Sequence, residues 1–172
     1  MRRMAVTWVR ALAIALMVAG ASAVAVHAGQ PPVLRPFVRG SWTRLRQSHA
    51  GRPLLVHFWG ITCPPCIGEL PKWGALQRAH PEATVIFVAA DPEPVNPDDV
   101  AAAIVKARID SAEQWMFADE FTERLRFEVS PEWAGEMPYT MLITPAGQVS
   151  TLAGVADMAT LERWLSSHRA GR

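Results

Sequence analysis

The chain has 172 residues, half of them hydrophobic, and a formal net charge of +1. This length suits one domain with a short extra segment and is sufficient for a sizeable buried core. The balanced charge, with no basic stripe, argues against a protein dedicated to binding nucleic acid.

The N-terminal residues predict an export signal. Arg2, Arg3 and Arg10 give a basic start, and the run ALAIALMVAGASAVAV, residues 11–26, carries no charge. Small residues in an A-x-A-like order are typical of a signal-peptide cleavage site. The uncharged run of 16 residues is also shorter than the about 20 apolar residues that a membrane-spanning helix needs. We therefore expect residues 1–28 to be a signal peptide or a retained N-terminal membrane anchor. The rest of the chain is then exported, to a bacterial periplasm in which thiols are usually oxidised.

The exported part reads as a proline-broken spacer followed by alternating strands and helices. The spacer is expected at residues 29–40. The apolar runs, turn residues and helical spacing then predict these elements in chain order: strand 53–59, helix 67–80, strand 83–91, helix 96–107, strand 115–119, helix 120–127, strand 139–145, strand 149–154 and helix 158–168. An order of β-α-β-α-β-α-β-β-α predicts an α/β fold of three layers, with a mixed central sheet between helices.

Both cysteines lie in the segment GITCPPCIGELP, residues 60–71, with C-x-x-C spacing. A closed zinc site normally needs four ligands, and the sequence has no second C-x-x-C and no H-x-x-x-H. A disulfide that closes two intervening residues removes little chain entropy, so it would stabilise the fold poorly. The pattern therefore favours redox exchange through a mixed disulfide over a metal site or a structural crosslink.

Two motifs resemble exported thioredoxin-like proteins of the TlpA/ResA kind. The segment VHFWGITCPPCIGELP, residues 56–71, is similar to the family's active-site segment, in which C-x-x-C-x-x-E-x-P follows a buried strand. The segment GEMPYTMLITPAGQV, residues 135–149, is similar to the family's cis-proline loop, strand and hairpin. The resemblance covers about residues 41–168.

The resemblance implies a thioredoxin-like three-layer fold over residues 41–172, with an extra β-α insertion for which residues 83–118 leave room. Two positions depart from the family pattern. Thr62 stands where the family commonly has an aromatic residue, and His57 stands where it commonly has asparagine.

The two cysteines carry the expected chemistry. Cys63 lies where a strand passes into a helix, so the helix dipole and free N–H groups favour its nucleophilic thiolate. Cys66, one turn further, is expected to be more covered and to act as the resolving thiol. Pro64 and Pro65 have no N–H with which to stabilise that thiolate, which favours a less oxidising couple and hence a reductant. No cofactor or metal is expected beyond the redox-active Cys63–Cys66 disulfide.

Three further residues are expected around the cysteines. His57 should point inward beneath them, either as a proton acceptor for Cys66 or as a buried neutral histidine bonded to a backbone carbonyl. For Glu69, the residues themselves favour a solvated acid near the helix N-terminus, whereas the resemblance implies a side chain that tunes the redox potential. Trp59 is expected to form a wall beneath the site.

Pro138 is expected to complete the site. The resemblance implies a cis peptide bond there, which lets the backbone of Met137 offer strand-like hydrogen bonds to an extended target peptide. The alternative is an ordinary trans proline at the start of an edge strand.

The predicted function is that of an exported thiol:disulfide oxidoreductase that reduces disulfides in partner proteins. The resemblance implies exported partners with disulfides or dithiols, such as apocytochrome c or the copper-site cysteines of respiratory oxidases. It also implies an upstream membrane thiol-disulfide electron donor, and a retained anchor would tether the chain to the inner membrane. One alternative is a copper(I)-binding chaperone that uses the same cysteines. A thiol peroxidase is disfavoured, because peroxidatic cysteines do not normally lie in a C-x-x-C pair.

Overall fold

The computed structural model describes residues 31–168. Within this range the chain forms six strands and five helices. In chain order they are β1 (Leu34–Phe37), α1 (Ser41–Ser48), β2 (Leu54–Trp59), α2 (Pro64–Ala79), β3 (Thr84–Ala89), α3 (Pro97–Ala107), β4 (Glu113–Phe117), α4 (Thr122–Val129), β5 (Tyr139–Ile143), β6 (Val149–Ala153) and α5 (Met158–Ser167).

The strands form one mixed sheet in the order β1-β4-β3-β2-β5-β6. Strands β1 to β4 are parallel where they pair, whereas β5 is antiparallel to β2 and β6 is antiparallel to β5. Every residue of β2 is buried, as expected of a central strand with helices on both faces.

Helices cover the two faces of the sheet, so the predicted three layers are confirmed. One apolar cluster joins the sheet to α2, α3 and α5, and the other joins it to α1 and α4. The two clusters draw on alternate residues of β2: Leu55 and Trp59 belong to the first, Val56 and Phe58 to the second. This alternation follows from the period of two in a strand, and it places His57 on the α2 face.

The expected insertion is present, because two strand–helix pairs, β3–α3 and β4–α4, lie between α2 and the proline that precedes β5. Helix α3 begins where the sequence predicts. Asn96 caps it by accepting a hydrogen bond from the N–H of Asp98, and Pro97 occupies the first turn, both common at helix starts.

The expectation of a spacer at residues 29–40 is wrong for Leu34–Phe37, which pairs in parallel with β4 at the edge of the sheet. In the sequence, Pro36 argues against a strand here, because proline is tolerated in a strand only at an edge or a bulge. Phe37 is fully buried against Phe58 and Phe117. The folded part therefore begins earlier than residue 41, and helix α1 was also not predicted.

No helix in residues 31–168 is long and apolar enough to cross a membrane. The predicted signal or anchor, residues 1–28, lies outside the described part of the chain.

Candidate active site

The two cysteines form a disulfide where β2 passes into α2. Cys63 is the N-cap of α2, and its Sγ accepts a hydrogen bond from the N–H of Cys66 at 3.3 Å. Pro64 and Pro65 occupy the first two helical positions, so the N–H of Cys66 is the first available donor in the helix. Cys66 is fully buried, whereas Cys63 is half-buried. Cys63 is thus the sulfur that another molecule can reach.

The loop between β2 and Cys63 is held by Asp91, which follows β3. Its Oδ2 accepts a hydrogen bond from the N–H of Ile61 at 3.0 Å. Its Oδ1 accepts one from the N–H of Thr62 at 3.0 Å and one from the Thr62 hydroxyl at 2.7 Å. Asp91 is only 5% exposed. Sequence reasoning missed this residue: its one signal, an acid directly after a buried strand, is equally typical of a turn.

The cis-proline loop lies beside this loop. The Met137–Pro138 bond is cis, as the family resemblance implies. The pairing of β5 with β2 begins at Tyr139, opposite Phe58, so the backbone of Met137 lies just outside the ladder. A Cβ at Gly60 would lie 3.0 Å from Cε of Met137, which shows how closely the two loops approach each other.

Trp133 fixes the chain that leads into Pro138, and it too was missed from the sequence. Its indole N–H donates to the carbonyl of Glu136 at 2.8 Å. Its ring stacks on Tyr139, with centroids 4.7 Å apart and planes 7° from parallel. An aromatic residue in a proline-rich loop is too common a feature to predict such a role.

His57 lies fully buried on the α2 face of β2. Its Nδ1 lies 2.9 Å from the hydroxyl of Thr140 on β5, and its ring lies 4.4 Å from that of Trp73 on α2. Its Nε2 is 3.2 Å from Oε1 of Glu69, although neither of these two atoms makes a hydrogen bond of good geometry. The expected neutral buried histidine therefore has a hydroxyl rather than a backbone carbonyl as its partner.

The expectation that Glu69 is a solvated acid is wrong. Its side chain is 1% exposed, and its Oε2 accepts a hydrogen bond from the N–H of Ala156 at 2.8 Å. The physical reason is the face of α2 on which it lies: Cys66, Leu70 and Trp73 share that face and are buried with it. Helical spacing from Cys66 offered a signal for this burial.

Burial shifts both groups of the pair towards their neutral forms. It lowers the pKa of His57 to about 3. Burial also raises the pKa of Glu69, while the Ala156 N–H, the Trp73 side chain and the Lys72 charge act against the rise. Burial thus disfavours the charged form of each side chain, which is expected because placing two charges in the core has a large cost.

Trp59 is fully buried and belongs to the same apolar cluster as Cys66. The structure brings His57 and Glu69 within 3.2 Å of each other on the α2 face of the sheet. The roles assigned to these side chains stay predictions.

The His57–Glu69 pair predicts a specific pH dependence of stability. His57 gains a proton below its ordinary pKa of 6.5 when unfolded, but only near 3 when folded. Between these values the unfolded state binds more protons, so the contribution of His57 to stability falls as pH falls, by up to about 1.4 kcal/mol per pH unit. His57→Asn should remove this loss.

Glu69 provides a complementary variant, because its contribution to stability changes with pH in the opposite direction. Its folded form keeps a proton above the ordinary pKa of 4.5, so its contribution falls as pH rises, and Glu69→Gln should remove that fall. Urea unfolding of the oxidised proteins from pH 3.5 to 7 measures both effects. Parallel curves for the wild type and both variants would contradict the neutral pair.

No protein-family model matches the chain. Among curated proteins, sporulation thiol-disulfide oxidoreductase A of Bacillus subtilis (strain 168) is 39% identical over 41 residues. That alignment covers 24% of this chain and spans only 25% of the relative's length.

Solved structures match over most of the described chain. DsbF of Mycobacterium tuberculosis (MTB) has a TM-score of 0.56 at 24% identity, covering 70% of this chain and 84% of the other. StoA from B. subtilis has a TM-score of 0.52 at 25% identity, covering 67% and 83%. A secreted M. tuberculosis disulfide oxidoreductase homologous to Escherichia coli DsbE has a TM-score of 0.57 at 15% identity, covering 70% and 85%. These similarities confirm the thioredoxin-like α/β fold and the predicted resemblance to thiol:disulfide oxidoreductases.

Proposed function

We propose that this protein is an exported thiol:disulfide oxidoreductase that exchanges electrons with partner proteins through Cys63 and Cys66, acting mainly as a reductant. One observation carries the proposal: a half-buried Cys63 at a helix N-terminus is bonded to a fully buried Cys66. This asymmetry gives one sulfur to the partner and reserves the other for resolution. The similarity to the protein named sporulation thiol-disulfide oxidoreductase A supports the same chemistry.

The reaction balances within two cysteine pairs. The Cys63 thiolate attacks one sulfur of a target disulfide, and the other target sulfur leaves as a thiolate. The Cys66 thiolate then attacks Cys63 in the mixed disulfide and releases the second target thiolate. Two electrons pass to the target, and the Cys63–Cys66 disulfide forms. An upstream thiol-disulfide donor must then reduce the protein again.

Trapping of the mixed disulfide tests the proposal. In Cys66→Ser the resolving thiolate is absent, so partner proteins should stay bonded to Cys63 when the variant is produced in a bacterial periplasm. Non-reducing gels and mass spectrometry would identify them. Cys63→Ser is the matched control, because its remaining thiol is buried and should trap far less. Equal trapping by both variants, or none by either, would contradict the assignment.

The cis-proline loop is the proposed site of peptide binding. Met137 lies outside the β2–β5 ladder and next to the Cys63 loop. An extended target segment could therefore pair with its backbone while the target sulfur reaches Cys63, as in strand addition to a sheet edge. Exported proteins with oxidised cysteine pairs fit this geometry. Apocytochrome c and copper-site cysteines of oxidases are the targets that the family resemblance suggests.

The two prolines favour a reductant. The side chain of an N-cap residue accepts from the N–H of the second or third helical residue. Pro65 removes the second donor, which leaves the N–H of Cys66 to stabilise the Cys63 thiolate. A less stabilised thiolate makes the disulfide more stable and the couple less oxidising. We therefore expect a reduction potential well below the roughly −120 mV of a strong oxidant such as DsbA.

Replacement of each proline separately tests this argument. Pro65→Ala restores an N–H in reach of Cys63, so the alkylation of reduced Cys63 by iodoacetamide at pH 7 should be faster, on the order of threefold. Pro64→Ala restores an N–H at the first helical position, outside the capping geometry, and serves as the control. If both variants react at the wild-type rate, the missing donors do not set the redox balance.

His57 and Glu69 are proposed to take up the proton of Cys66 during resolution. Glu69 lies three residues from Cys66 on the buried face of α2. Nε2 of His57 lies 3.2 Å from Oε1 of Glu69. In this step the proton of the Cys66 thiol passes to the ionised carboxylate of Glu69, so one buried anion replaces another and the buried charge does not change. His57 lies beside that carboxylate and would influence how readily it takes the proton. Trp59 limits the access of water.

The pH dependence of exchange tests the proton path. His57→Asn should shift the pH–rate profile for release of a mixed disulfide and slow release at neutral pH, by about 10- to 100-fold. The preceding attack by Cys63 should change little, since its sulfur is open to solvent. Stopped-flow measurement of the two steps separates them. An unchanged profile would exclude His57 from the proton path.

The copper alternative lacks support from the described part of the chain. Residues 31–168 contain no group of three or more His, Cys, Asp or Glu side chains arranged to hold a metal ion. Two thiolates alone can bind Cu(I), but the geometry that distinguishes Cys63 from Cys66 suits exchange better.

A further inference from the structure

The loop that precedes Cys63 is hydrogen-bonded to the side chain of Asp91, and we call this set of hydrogen bonds the clamp. Three donors, the N–H of Ile61 and the N–H and hydroxyl of Thr62, converge on one buried carboxylate 29 to 30 residues further along the chain. Thr62 itself is exposed and immediately precedes Cys63. The clamp therefore holds Thr62, the residue directly before Cys63, which carries the attacking sulfur.

The same carboxylate also lies against Gly60. A Cβ at Gly60 would come within 2.8 Å of Oδ1 of Asp91 and 3.0 Å of Cε of Met137. The lack of a side chain at Gly60 therefore permits the close approach of both residues. Asp91 and Met137 thus lie close to the same point of the loop that precedes Cys63.

From these contacts we infer that Asp91 is a positioning residue: with Thr62, it sets the separation and orientation of the Cys63 loop relative to Met137, where the target peptide binds. The inference rests on the proposed thiol:disulfide exchange and extends it to protein-sized targets. A small disulfide needs only an accessible Cys63, whereas an extended peptide must also pair with Met137. Loss of the clamp should therefore slow exchange with peptides more than exchange with small disulfides.

Thr62 gives the clamp a chemical signature. A hydrogen bond contributes on the order of 1 kcal/mol, and more when the acceptor is a carboxylate as here, which corresponds to at least roughly fivefold in a rate that depends on it. Thr62→Val has nearly the same shape and lacks the hydroxyl, so it removes one of the three hydrogen bonds. Thr62→Ser keeps the hydroxyl donor. Asp91→Asn keeps the size of the side chain but offers only one carbonyl oxygen to three donors.

The experiment compares two disulfides with the reduced full-length protein. One is a synthetic peptide with an intramolecular disulfide in C-x-x-C arrangement, and the other is oxidised glutathione. Asp91→Asn should lower the second-order rate constant with the peptide about tenfold, and Thr62→Val about fivefold. The rate with glutathione should change by less than about twofold. Thr62→Ser should retain more of the peptide rate than Thr62→Val.

Asp110→Asn, the same substitution at an exposed aspartate, is the matched control and should leave both rates unchanged. Equal slowing of peptide and glutathione in Asp91→Asn would overturn the inference, because it would indicate a general loss of structure. Unchanged peptide rates in both Asp91→Asn and Thr62→Val would also overturn it. A wild-type protein that reduces neither disulfide would overturn the proposed function, and the inference with it.

Discussion

The complete burial of β2 is the constraint on which the site depends. A strand buried on both faces must have a strand on each side, and here those are β3 and β5. The chain leaves β2 at its C-terminal end, and the next helix begins at Pro64, directly after its N-cap Cys63. At the same edge β3 ends just before Asp91, and antiparallel β5 begins just after Pro138. Three neighbouring strands therefore bring Cys63, Asp91 and the cis-proline loop to one edge of the sheet.

The same packing also restricts two polar side chains beneath this edge of the sheet, His57 and Glu69. His57 is fully buried in the middle of β2, so its ring contacts only neighbouring elements: Nδ1 lies within hydrogen-bond distance of the Thr140 hydroxyl on β5, and Nε2 lies 3.2 Å from Glu69 on α2. Glu69 in turn contacts the N–H of Ala156, ahead of α5. The pair thereby links β2, β5, α2 and the segment before α5. Polar groups so enclosed are most stable when they carry little charge, so a change in the protonation of either side chain would cost stability.

Much of the fold and the reacting core of the site could be predicted from the sequence, because those features are encoded locally. The buried strands are apolar runs, and the C-x-x-C pair with Pro138 forms recognisable motifs. What was missed depends on contacts between distant segments. Strand β1 contains a proline and is stable only through its pairing with β4. The burial of Glu69 depends on which face of α2 meets the sheet, and the role of Asp91 depends on a loop 29 residues earlier.

The two positions at which the sequence departs from the pattern it resembles both make polar contacts with a buried acidic side chain. Thr62 stands where the resemblance implies an aromatic side chain, and its hydroxyl donates to Asp91. His57 stands where the resemblance implies an amide, and it lies next to Glu69. Neither change alters the reacting sulfurs, and both alter what surrounds them. Since the rate and direction of thiol exchange depend on how the thiolate is presented and where its proton goes, these two positions are where this chain can differ in substrate and redox balance from proteins with the same fold.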